Sequence, residues 1–203
     1  MKAGRIIHRF AAKDGREVIL RTPRWEDLDD ILELINSLVD ESAGIPNKRK
    51  LTKEQEADHL RSRLNLLEKG EAFELVAEVN GKVVANSGLY RKTAYSNHVG
   101  EIGFIGILKD YRNIGIGTEI LETLIDQARK LKLKVLFLGV FSTNSIARHV
   151  YEKVGFGETG RIPKFFHKNG KYIDDVIMAK ELSALDLEQR IACSEKSPKK
   201  EKT

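Results

Sequence analysis

The 203-residue chain predicts an α/β layered domain: a mixed central β-sheet with helices on both faces. Three observations carry this. Apolar and amphipathic segments follow one another in the order β-β-α-α-β-β-β-α-β-α-β-β. Two Asn-Gly pairs, Asn80-Gly81 and Asn169-Gly170, each sit between strand-like runs, and such pairs mark tight antiparallel hairpins. Finally, an apolar run over 98–108, an amphipathic stretch over 114–131 and a second apolar run over 135–141 have the form of a β-α-β crossover, which demands a parallel strand pair.

The elements follow in order. Residues 5–10 and 16–21 read as a hairpin around Asp14-Gly15. Pro23 suits a first helical turn, and Leu28, Ile31, Leu32, Ile35 and Leu38 form one helical face. Residues 42–51 read as a loop. Thr52 with Gln55 has the form of a capping box, opening a helix that runs through Leu60, Leu64 and Leu67 to Gly70. Strands are expected at 73–79 and 82–90, then at 98–108 after the loop 91–97. A helix over 114–131 buries Ile120, Leu121, Leu124, Ile125, Ala128 and Leu131. After the strand 135–141 comes a short helix over 144–154, closed by Gly155, and strands near 156–166 and 171–180 complete the sheet. Residues 1–182 read as one domain. Residues 183–203 read as a short helix followed by a disordered polar tail.

Composition narrows the class. Hydrophobic residues make up 41%, enough for a sizeable core. Charged residues make up 32%, above the usual figure of about 25%, which suits a soluble chain. No apolar run reaches the roughly 18 residues of a membrane span, and the first residues lack a signal-peptide apolar region, so the cytoplasm is the expected compartment. Cys193 is the single cysteine, and His8, His59, His98, His149 and His167 show no metal spacing, so neither a disulfide nor a metal site is expected. The net charge is +5, part of it in the lysine-rich last ten residues, and no basic stripe with interleaved aromatics appears. Nucleic-acid binding has no support, while a mild positive bias suits a polyanionic ligand.

The chemistry centres on Arg112-Asn113-Ile114-Gly115-Ile116-Gly117, at the seam between strand and helix. Glycines there let backbone approach a ligand closely, and the free N–H groups and dipole of a helix N-terminus attract an anion. A P-loop would need Lys-Ser/Thr after the glycines, and none follows. A dinucleotide fingerprint would need a third glycine where Ile120 stands. The pattern Arg/Gln-x-x-Gly-x-Gly/Ala fits in full. After the next strand comes Asn144-Ser-Ile-Ala-Arg-His-Val-Tyr151-Glu-Lys-Val-Gly155-Phe156.

These two elements, in this order and separation, resemble the GNAT superfamily of acyl-CoA-dependent N-acyltransferases, over roughly 16–181 and most specifically 98–156. The resemblance implies acetyl-CoA as co-substrate and direct transfer to an amine in a ternary complex. It assigns the pyrophosphate to the backbone of Asn113, Ile114, Gly115, Ile116, Gly117 and Thr118, with Arg112 heading the motif. The pantetheine arm would lie along Ile105, Gly106 and Ile107, wedged between strands 98–108 and 135–141, with the Ile107 amide as oxyanion donor. Asn144 would contact the pantetheine and Tyr151 would protonate the departing thiolate. Glu101, eleven residues before Arg112, stands where some lysine-modifying members carry a catalytic glutamate, and is the candidate base. Lys109 replaces a frequent proline, and Ile114 a frequent Arg or Gly. Neither change touches the backbone cradle.

Each residue also has a structural reading. Asn144 is a helix N-cap, Tyr151 a boundary aromatic and Glu101 a salt-bridged strand residue. The alternatives to an acetyltransferase are a non-catalytic acyl-CoA-binding module and a transferase using another acyl-CoA. The amine acceptor should be set by the first two helices, the loops 42–51 and 91–98 and the hairpin 165–172, where Phe165, Phe166, Tyr172, His98 and His167 are candidate lining residues. The acidic pairs Asp40/Glu41 and Asp174/Asp175 read as solvated, with recognition of a polyamine or lysine as the alternative. Homodimerisation is common among families that this one resembles.

Overall fold

The computed structural model describes residues 1–45 and 49–182. In chain order these give β1 (Ile6–Ala11), β2 (Glu17–Arg21), α1 (Leu28–Asp40), α2 (Lys53–Lys69), β3 (Ala72–Val79), β4 (Lys82–Arg91), β5 (Val99–Ile102), β6 (Gly106–Ile107), α3 (Ile116–Lys130), β7 (Val135–Phe141), α4 (Ser145–Lys153), β8 (Gly157–Lys168) and β9 (Lys171–Glu181). The strands form one mixed sheet in the order β1-β2-β3-β4-β5-β7-β9-β8, with β6 paired to β4. The β5–β7 pair is parallel, as the crossover requires. The C-terminal extension expected from the sequence lies outside the described residues.

Alternation along the strands sends side chains to two different cores. Leu20, Phe73, Leu75, Leu89, Leu136 and Met178 meet α3 through Ile116, Ile120, Leu121 and Leu124, and all ten are essentially without solvent contact. Each such side chain is worth about 1.5–3 kcal/mol of burial. On the opposite face Val76 and Val83 meet Leu28, Ile31 and Ile35 of α1 and Leu60 of α2.

The helix ends follow local chemistry. Thr52 caps α2: its hydroxyl accepts from the Gln55 amide, and the Gln55 side chain accepts from the Thr52 amide. All four helices close on a left-handed residue, Ser42, Gly70, Lys132 and Gly155, with the paired backbone bonds of a Schellman motif.

Two boundaries differ from the sequence reading. The first helix starts at Leu28, after a 3-10 turn over Trp25–Asp27, and not at Pro23. The Asp27 carboxylate is committed to the guanidinium of buried Arg21, at 2.7 Å through both oxygens, and also accepts from the Arg24 amide at 2.9 Å, so the chain must turn before the helix begins. The apolar run 98–108 is not one strand. It breaks over 103–105, between β5 and β6.

Candidate active site

The break in that run opens the sheet. β5 pairs with β7 only from Val99↔Val135 to Glu101↔Phe137. Further along, β6 pairs with Ala85 and Asn86 of β4, while β7 continues to Phe141 against β9. Two parallel strands therefore part at their C-terminal ends, where open α/β sheets hold ligands. The Leu108 amide donates to the Val84 carbonyl at 2.9 Å. Strand alternation then aims the N–H and C=O of Ile107 away from β4, towards the parting. Ile105 packs at the edge of the core beside it. Gly106 is closely covered: an added Cβ would lie 2.7 Å from the Phe104 ring.

The seam below the parting is a curled backbone. Asn113 (φ 63°) and Gly115 (φ 101°) are both left-handed, and α3 begins directly after them. Its first intrahelical bond runs from the Glu119 amide to the Gly115 carbonyl. The amides of Ile116, Gly117 and Thr118 precede that bond and lack helical acceptors. Such a left-handed nest at a helix N-terminus attracts phosphate, and glycine meets the φ of position 115 without Cβ strain. The Lys13 amide holds the Ile114 carbonyl at 3.0 Å, which pins the loop. The Arg112 side chain does a different job from a phosphate ligand. Its Nε donates to the Ile107 carbonyl at 2.9 Å, and its two terminal nitrogens grip Glu41 at 2.7 and 3.2 Å. Arg112 thus ties the seam to β6 and to the end of α1.

On α4, Tyr151 is half-buried against the core, edge-on to Phe156 with ring centroids 6.4 Å apart. Burial pushes its phenol up to about 12, so it carries its proton throughout the neutral range. The Asn144 carbonyl oxygen caps α4 by accepting from the Ala147 amide at 3.2 Å. Its amide nitrogen faces the loop after α1, 3.3 Å from where a Cβ on Gly44 would sit.

Glu101 is half-exposed and ion-paired with Lys92, whose ammonium lies 5.2 Å from the centre of the Phe137 ring. Beside it runs a buried polar group that the sequence reading missed. The Tyr90 hydroxyl donates to Glu74 at 2.7 Å, and both groups are pushed up, by burial first and in the phenol's case also by the Glu74 charge. The one sequence signal was Glu74 within an otherwise apolar strand start, Ala-Phe-Glu-Leu-Val.

The acidic pairs are also resolved. Asp40 pairs with Lys50, and Glu41 with Arg112. Asp174 accepts from the Lys164 amide. Asp175 separates from it and lies over Gly139 of β7, where an added Cβ would meet its carboxylate at 2.9 Å. Burial holds its carboxyl above the ordinary range.

A cleft of about 330 Å³ lies at the end of β7, between the loop after α1 and the β8–β9 hairpin. Val39, Ile45, Phe141, Phe165 and Phe166 give it apolar walls, with His167, Lys168, Ser42 and Ala43 at its polar side. Phe141 stacks on Phe166 at 4.1 Å, and Phe165 meets Phe166 edge-on at 4.8 Å. Of the regions expected to form an acceptor site, the loop 42–51 and the hairpin meet here. The loop 91–98, and His98 with it, lines no part of this cleft.

Comparison with known proteins agrees with this geometry. Residues 31–156, more than half of the chain, match the model of the acetyltransferase (GNAT) family. An N-alpha-acetyltransferase of Sulfurisphaera tokodaii is 28% identical over 180 residues, covering 84% of this chain and 97% of that protein. The L-amino acid N-acyltransferase MnaT of Escherichia coli is 31% identical over 110 residues, covering 53% of this chain and 63% of that protein. A GNAT superfamily phosphinothricin acetyltransferase from Sinorhizobium meliloti, solved in complex with acetyl-CoA, superposes with a TM-score of 0.72 at 17% identity over 82% of this chain and 89% of that one. The parted strands, the nest at α3 and the matched family model lead to one conclusion: the chain belongs to the GNAT family and is an N-acetyltransferase.

Proposed function

We propose that the protein transfers the acetyl group of acetyl-CoA to the amine of an amino acid or peptide, directly and in a ternary complex. The parting of β6 from β7, with the nest of Asn113 and Gly115 below it, carries this reading. The opening fits an extended pantetheine arm, and the left-handed backbone fits a pyrophosphate. When bound, acetyl-CoA supplies an acyl group already activated as a thioester. The amides of Asn113, Ile114, Gly115, Ile116, Gly117 and Thr118 hold the diphosphate, while Ile105, Gly106, Ile107 and Asn144 hold the arm. The Ile107 amide donates to the acyl oxygen as negative charge develops on it. Tyr151 delivers its phenolic proton to the sulfur. The burial that disfavours its phenolate keeps the phenol protonated, and so able to donate, throughout the neutral range.

Glu101 takes the proton that the ammonium must lose before it can attack, with Lys92 holding the carboxylate in place. One observation favours a second base. Asp175, whose carboxyl is raised by burial, sits over Gly139 of β7, beside the parting.

The test is acceptor-dependent CoA release from acetyl-CoA, with amino acids and peptides as acceptors. Tyr151→Phe should lower kcat by about 10²–10⁴-fold with acetyl-CoA affinity kept. Glu101→Gln should lower kcat by about 10²–10⁴-fold as well. If Glu101→Gln keeps its kcat and Asp175→Asn loses it, the base is Asp175. Undiminished turnover in Tyr151→Phe would remove the proton-donor role.

A further inference from the structure

We propose that Lys168 is the anion-binding residue of the acceptor pocket, and that the acceptor is a free α-amino acid with an apolar side chain, held by its carboxylate. This rests on the acetyltransferase reading above and narrows its acceptor class.

An ammonium has three donors. Lys168 uses two, on the carbonyls of Ser42 (2.8 Å) and Ala43. Among the described residues no carboxylate lies within ion-pair distance of it. The Phe141 ring lies 5.7 Å below the charge. A half-buried cation held by neutral dipoles and an aromatic face has partners but no counter-charge, and burial depresses its pKa accordingly. Lys168 forms part of the cleft wall, so an anion that enters the cleft meets it.

The rest of the cleft describes what the anion is attached to. Its walls are Val39, Ile45, Phe141, Phe165 and Phe166, and Phe165 is still 55% exposed. The volume of about 330 Å³ is at the small end for a ligand site. It suits one amino acid better than a folded segment. The cleft also begins at Phe141, the last residue of β7, and the loop that forms its wall passes Asn144 at Gly44, where an added Cβ would lie 3.3 Å from the Asn144 amide nitrogen. An amine in the cleft is therefore near the parting of the strands. A peptide N-terminus carries no carboxylate beside its α-amine and would leave Lys168 unmatched.

The experiment measures kcat/KM for L-phenylalanine and L-leucine and for their carboxamides, in wild type, Lys168→Met and Lys168→Arg. Following each substrate across variants cancels the different basicities of acid and amide. Lys168→Met should lose about tenfold or more on the free acids, through KM, because a charge-assisted bond is lost. The same variant should stay within about twofold on the amides, and Lys168→Arg should keep most of the activity on the acids. Equal losses on acids and amides would show that Lys168 only straps the hairpin to the loop. Wild-type turnover of peptides with none of free amino acids would overturn the acceptor class and leave the acetyltransferase intact. Should no amine turn over, calorimetric titration of N-acetyl-L-phenylalanine still reads the site. Binding lost in Lys168→Met supports the anion site, and binding equal or absent in both proteins overturns it.

Discussion

On the α3 side of the sheet, the inward positions of β2, β3, β4 and β7 are filled by Leu, Phe, Val and Ala, and the helix answers with Ile and Leu. Among the described residues a buried hydroxyl interrupts it, that of Ser87, whose oxygen finds no partner there. On the α1/α2 side the same strands turn Arg21, Glu74, Asn86 and Tyr90 inward, and the helices or the turn before them answer with Asp27, Glu56 and Arg63. The first face needs only volume and shape. The second needs its charges paired, and among the described residues two of its polar atoms, the Asn86 carbonyl oxygen beside Gly106 and the Arg63 Nε, have no partner. The comparison teaches that one face is held by apolar packing alone, while the other mixes apolar packing with charges that must be paired.

The largest effect should come from breaking a charge on the polar face. Asp27→Ala leaves Arg21 buried with its main partner gone, and should cost about 3–5 kcal/mol in denaturant unfolding. Replacing both, as Arg21→Met with Asp27→Leu, should cost clearly less than the single change. If it costs more, the pair is a net stabiliser and the contrast between faces is weaker than drawn. On the dry face, Leu124→Ala should cost about 2–5 kcal/mol, with kcat per folded molecule unchanged.

A smaller, pH-dependent effect is expected at Glu74. Its folded-state carboxyl is raised above the ordinary value of 4.5, so its contribution is complete below pH 4.5 and is lost as pH rises through the folded-state value. Wild type should therefore lose stability relative to Glu74→Gln as pH climbs from 4.5 towards neutrality, read from unfolding midpoints at each pH. A flat difference would mean that Arg63 and Tyr90 fully compensate the burial. The smallest effect lies at Lys132, left-handed at φ 59° where α3 closes. Lys132→Gly should raise stability by about 0.5–1 kcal/mol in the same assay.

What the sequence made legible was local. Asn80-Gly81 and Asn169-Gly170 dictated hairpins, Thr52 and Gln55 a capping box, and the spacing of Ile120, Leu121, Leu124 and Ile125 a helix face. The seam at 112–117 was readable because its curl is a backbone feature, and glycine placement in the sequence points to such a turn. Partnerships across long stretches of chain were not readable. Arg112 finds Glu41 at a separation of 71 residues, and Arg21 finds Glu78 at 57. The break at 103–105 was hidden for the same reason. Val99 to Leu108 is apolar enough for one strand, and only the pairing with β4 and the Tyr90 ring against Gly103 show where it must bend.

Residues 41–43 join two walls. The Glu41 side chain reaches the seam through Arg112, and the next two carbonyls hold the hairpin through Lys168. Three consecutive residues thus act as a rivet between the seam before α3 and the β8–β9 hairpin. Anyone reshaping the cleft proposed to take the acceptor should leave that rivet alone and vary the aromatic walls. Inserting a single residue at the rivet would unfasten both sides at once, whereas a changed wall re-shapes only what the cleft admits.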